Sequence, residues 1–143
     1  MHGTVDVPSD ARAADTLLLE SVQEFVTKHP APEVNRFAWS MRNCGQPWCR
    51  GGDTQLPARR FLEHASVSVS ASTQAVLRAF RAQSGRLSWE QTYTAADNVV
   101  GADMLAGYAF AEIVGERGSF LSDQVRCGVG VWGPHINYPA HRH

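Results

Sequence analysis

The chain has 143 residues and a mass of 15.7 kDa, enough for one domain of ordinary size. Its apolar fraction of 43% and charged fraction of 19% are those of a globular protein, which excludes a disordered tail. A net charge of −1, a pI near 6.6 and scattered Lys and Arg leave no basic field, so nucleic acid is not an expected partner. No run approaches the roughly 18 consecutive apolar residues of a membrane span. The longest, near Met104 to Ala111, is interrupted by Gly107. Met1 to Asp10 shows no basic region followed by an apolar one, so no secretory signal is expected and the chain reads as cytoplasmic.

In chain order, the first predicted element is a helix over Asp15 to Lys28. Leu18, Val22, Phe25 and Val26 recur at helical spacing, with Leu19 alongside. Asp15 is placed to cap the first turn, Lys28 and His29 suit the negative end, and Pro30 and Pro32 prevent continuation. Asn43 to Pro57 has loop composition. The stretch ASVSVSAS alternates small and β-branched residues, as a short strand or an extended linker would. A second helix is predicted over Ser72 to Gln83, with Val76, Leu77 and Phe80 on one face, Arg78 and Arg81 outward, and Ser84-Gly85 as its end.

The pattern changes after Gly85. LSWEQTY, Leu87 to Tyr93, has no helical period. YAFAEIVG, Tyr108 to Gly115, alternates, with Tyr108, Phe110, Glu112 and Val114 pointing one way and Ala109, Ala111 and Ile113 the other. GERGS reads as a turn, and Val125 to Gly133 as a further strand. Helices first and antiparallel strands later predict an α+β fold. The division is a helical region with loops over residues 1–105 and a strand region over 106–143.

Cys44, Cys49 and Cys127 are an odd number, which argues against a disulfide framework. Cys44 and Cys49 fit half of a metal site or a redox pair, or simply two thiols near a turn. The last eleven residues, GPHINYPAHRH, carry the chemistry. His141 and His143 form an H-x-H pair, and on a strand residues i and i+2 project from one face, so both imidazoles can reach one ion. Neutral imidazole suits first-row transition ions better than magnesium. Taken alone, the pair is more often a chance feature of a tail than a metal site. Tyr138 lies three residues before the first histidine, close enough to face the same cavity. His2, His29, His64 and His135 read as surface or helix-end residues.

The glycine-containing strand followed by G-P-x-x-x-Y-P-x-H-x-H resembles the opening of the first cupin motif. Together with the helical N-terminal region and L-S-W-E-Q-T-Y, the run Y-P-A-H-R-H from Tyr138 to His143 is similar to the dimethylsulfoniopropionate lyases of the cupin type. The interval from Gly133 to His141 is longer than is usual in cupins. The resemblance implies N-terminal helices followed by the first strands of a cupin-like β-barrel. It also implies His141 and His143 as ligands of a divalent transition metal (zinc, iron or manganese), and Tyr138 as a catalytic pocket residue. A third ligand, a second tyrosine and a distal histidine would lie beyond His143, so two ligands alone should leave the site incomplete.

The activity so implied is cleavage of dimethylsulfoniopropionate to dimethyl sulfide and acrylate by β-elimination. Another cupin metalloenzyme, a dioxygenase or isomerase, or a non-catalytic cupin binding module would use the same histidines. A sulfonium substrate favours an aromatic wall, by cation–π attraction worth about 0.5–2 kcal/mol. Tyr138, Trp132, Tyr108, Trp89 and Tyr93 are candidates for that wall, with core packing the alternative for Trp89 and Trp132. The helical region, surplus to a barrel, implies a homodimer.

Overall fold

The computed structural model describes residues 7–44, 47–49, 54–63, 70–97 and 101–138. Six α-helices are seen among them: α1 (Val7–Lys28), α2 (Pro32–Asn35), α3 (Ala38–Arg42), α4 (Arg60–Glu63), α5 (Ala71–Gln83) and α6 (Ala102–Gly107). Four strands form one sheet: β1 (Trp89–Glu90), β2 (Tyr108–Gly115), β3 (Phe120–Leu121) and β4 (Cys127–Trp132).

Helix α1 buries Leu18, Leu19, Val22 and Val26, the face its spacing predicts, while Leu17 stays exposed. It begins eight residues before Asp15, so Asp15 is not a cap. Its carboxylate is buried inside the helix layer, where it accepts from Trp48 Nε1 at 3.0 Å and pairs with Arg86 at 3.4 Å. A charge out of water needs such partners, and these two tie α1 to the loop after α3 and to the segment after α5. Helix α5 is capped by Ser70, whose hydroxyl accepts from Thr73 N at 3.3 Å. It buries Phe80 completely, with Val76 and Leu77 packed against the same core.

β2 is the central strand. β4 runs antiparallel along one edge, from Tyr108↔Trp132 to Val114↔Cys127. The opposite edge takes β1 antiparallel, Trp89↔Ala111 and Glu90↔Phe110, and then β3 parallel, Val114↔Phe120. The sheet therefore takes β1 from upstream of residue 106. On one face Ala109, Ala111 and Ile113 are fully buried, and Trp89, aligned with Ala111, meets Phe80 of α5 edge to face at 5.6 Å. The two alanines leave room for that ring. A bulge between Glu112 and Val114 breaks the predicted alternation, so Val114 leaves the face of Glu112 and joins the core. The other face carries Tyr108, Phe110, Glu112 and Glu90.

Candidate active site

On that second face an aromatic group forms around Tyr108, the first residue of β2. Trp132, its cross-strand partner, stacks on it with ring centroids 5.1 Å apart and planes 28° apart. Phe110 lies 6.3 Å along the strand. The chain beyond β4 then folds back: Gly133 N donates to Gly107 O at 2.7 Å, and His135 takes a positive φ of 61° in the turn that follows. Gly107 allows this return, since a Cβ there would press on Ile136. The return brings Tyr138 within 5.7 Å of Tyr108 and edge-on to Trp132 at 6.0 Å.

Three rings of different exposure result. Tyr108 is 6% exposed, Trp132 is 48% exposed and Tyr138 is intermediate. Tyr108 is the fixed member, because Gln91 Nε2 donates to its carbonyl at 2.7 Å and also to Leu105 O. Its hydroxyl lies 3.4 Å from Thr92 Oγ1. The Tyr138 phenol is pushed above its ordinary value, first by burial and then by the neighbouring Tyr108 and Tyr93 and a hydrogen bond with Tyr108. At neutral pH Tyr138 is a hydrogen-bond donor.

The other end of the same face is ionic. Glu112, buried, accepts from Arg126 Nε at 2.8 Å and from Arg117 N at 3.0 Å. Glu90 Oε1 accepts from Arg117 at 2.6 Å, while Glu90 Oε2 is buried without a partner among the described residues. An electron-rich aromatic floor attracts a cation, and a protonated phenol beside it can receive an anionic oxygen. The face thus offers binding groups for a small zwitterion.

The structure sorts the predicted aromatic residues. Tyr138, Tyr108 and Trp132 come together, with Tyr93 an electrostatic neighbour of Tyr138. Trp89 is on the opposite face, in the core, with Nε1 donating to Ser84 O at 2.8 Å. Trp132, by contrast, is no core residue. Phe110 was missed as a member of the group, although the alternation of β2 places it two residues from Tyr108 on the same face. His141 and His143 lie outside the described residues, as do His2, His64 and most of ASVSVSAS. Among the described residues no three of His, Cys, Asp and Glu gather as a metal site.

The three cysteines are free thiols, and Cys44 lies close enough to Cys127 to act on it electrostatically. Cys44 donates to Met41 O at 2.9 Å and Cys49 to Gly118 O at 3.5 Å, and neither forms a disulfide. Burial pushes the Cys127 thiol up to about 11, so it stays protonated. His29, at the end of α1, accepts from Ala31 N at 3.1 Å, and His135 is exposed.

Comparison with known proteins gives this face its context. Residues 36–143 match the model of the dimethylsulfoniopropionate lyase family. A putative dimethylsulfoniopropionate lyase of Cereibacter sphaeroides is 32% identical over 72 residues, 50% of this chain and 29% of that protein. A chain from the crystal structures of the DMSP lyases RdDddP and RnDddQII superposes with a TM-score of 0.70 at 30% identity, over 87% of this chain and 60% of that one. The DMSP lyase DddQ from Ruegeria pomeroyi shares the fold, with a TM-score of 0.71 at 22% identity over 89% of this chain and 61% of that one. This chain therefore spans under a third of the curated relative and about three fifths of each solved one. Its fold is α+β, helices followed by the first strands of a cupin-like barrel. The chain belongs to the dimethylsulfoniopropionate lyase family.

Proposed function

We propose that this protein is a metal-dependent carbon–sulfur lyase that splits dimethylsulfoniopropionate into dimethyl sulfide and acrylate. The observation that carries the reading is the aromatic floor of Tyr108, Trp132 and Tyr138 on a chain of this family. Trp132, half exposed, receives the sulfonium against its ring, and the buried Tyr108 stacked on it backs that ring. A base removes a proton from the carbon next to the carboxylate, and that electron pair forms the carbon–carbon double bond. The bond to sulfur breaks, and sulfur leaves with its electrons as neutral dimethyl sulfide. Negative charge builds on the carboxylate oxygens as the proton departs, and the Tyr138 hydroxyl donates to one of them. The base is assigned, by family resemblance, to a tyrosine beyond His143.

The donor set suits a transition ion: His141 and His143 are imidazoles one residue apart. Zinc, iron or manganese held there would supply a Lewis acid for the substrate carboxylate. Helical residues 1–105 and barrel residues 106–143 form the two proposed regions, the second carrying the ligands. Cytoplasmic residence is supported by the odd number of cysteines.

The test, made on protein that carries the ligand and tyrosine assigned beyond His143, is headspace dimethyl sulfide after addition of dimethylsulfoniopropionate, with zinc, iron or manganese supplied and a chelated control. Release abolished by the chelator is expected. Undiminished release under chelation removes the metal from the proposal, and no release with any ion removes the substrate. The same protein is proposed to be a homodimer, supported by Leu17, Phe37 and Trp39 exposed on the helical layer. Sedimentation velocity should show a species of twice the chain mass, and a strict monomer at high concentration sinks that assignment.

A further inference from the structure

We infer that Tyr108, braced by Thr92, is the positioning residue that fixes the Tyr138 hydroxyl in the site; this rests on the functional reading above. Tyr138 belongs to the chain segment after β4, outside the strands seen among the described residues. Tyr108 belongs to the central strand, is buried, and has its carbonyl clamped by Gln91. The Gln91 clamp also sets the place of the next residue, Thr92, whose hydroxyl is 3.4 Å from that of Tyr108. The ring of Tyr108 sits 5.7 Å from that of Tyr138, and Trp132, stacked on the first and edge-on to the second, closes the remaining side. A phenol so enclosed has few orientations left, and its hydrogen bond with Tyr108 selects among them.

Tyr108 need not touch the reacting atoms for this. Removing its hydroxyl while keeping its ring should leave the aromatic floor intact and free only the orientation of Tyr138. Tyr108→Phe is therefore expected to lower kcat about 3–10-fold, the worth of one hydrogen bond, with KM within about twofold. In combination with Tyr138→Phe the effects should not multiply: the double variant should be no slower than Tyr138→Phe alone. Multiplying effects would overturn the inference, because Tyr108 would then act independently.

A second readout does not need the substrate. With ζ-¹³C-tyrosine labelling, the line that disappears in Tyr138→Phe identifies Tyr138. The Tyr138 line should shift or broaden in Tyr108→Phe, and by less in Thr92→Val, which keeps the shape of the side chain and covers the case that the first variant fails to fold. A Tyr138 line unmoved in both overturns the inference. Absence of dimethyl sulfide from the unaltered protein would instead remove the functional reading and leave these lines to judge the geometry.

Discussion

Replacing Tyr138 by phenylalanine is expected to lower kcat for dimethylsulfoniopropionate on the order of a hundredfold, the usual loss when one donor to a developing oxyanion is removed. The phenol is poised for that role by surroundings that hold it protonated: burial, two neighbouring tyrosines and the bond with Tyr108. Phenylalanine keeps the ring beside Trp132, so KM should change little. The pH dependence separates a donor from a base. A donor held above its ordinary range stays protonated from about pH 7 to 9, so the ratio of unaltered to variant rates should be flat there. A ratio that climbs steadily with pH would make Tyr138 the base, and a loss smaller than threefold would remove it from the chemistry.

The second large effect is on stability. Trp89→Ala should cost about 3–5 kcal/mol, because the site cannot collapse around so large a void. Trp89 is 1% exposed, meets Phe80 at 5.6 Å, and donates to Ser84 O at 2.8 Å, a bond that leaves a buried carbonyl short of a partner when lost. Against a folding free energy of about 5–15 kcal/mol the variant would be marginal. Urea unfolding with an unchanged slope and a lowered midpoint is the expected result. A change below 1 kcal/mol would mean that the helix layer and the sheet are held together mainly elsewhere.

Where one element's own pattern decides its structure, the sequence is informative. The face of α5 follows from Val76, Leu77 and Phe80, and the alternation of β2 places Tyr108 with Phe110 and Ala109 with Ala111. What failed was whatever depends on a distant partner. Asp15 has the chemistry of a cap and sits instead mid-helix, because Trp48 and Arg86 arrive to satisfy it. β3 has two residues and no signal of its own; it exists because β2 and the segment around Trp48 pair with it on its two edges. Trp89 and Trp132 are alike in sequence terms, and register alone separates them: one is opposite Ala111 on the core face, the other opposite Tyr108 on the open face. Tyr138 is expected in a pocket only through its neighbours at His141 and His143, whereas its contact with Tyr108 requires the fold-back at Gly107.

The open face owes its shape to residues without side chains. Gly130 is paired with Phe110 and Gly128 with Glu112, and a Cβ on Gly130 would strike the Trp132 ring at 2.5 Å. That ring lies along bare backbone, as in a trench whose floor is peptide and whose walls are side chains. Alanine at position 130 would lift the indole off its bed, tilting it away from Tyr108 and narrowing the trench from below. A substitution scan read by its losses alone would then count Gly130 among the ligand-contacting positions. Its part is to be thin, so that an aromatic plane can lie flat where any other residue would prop it up.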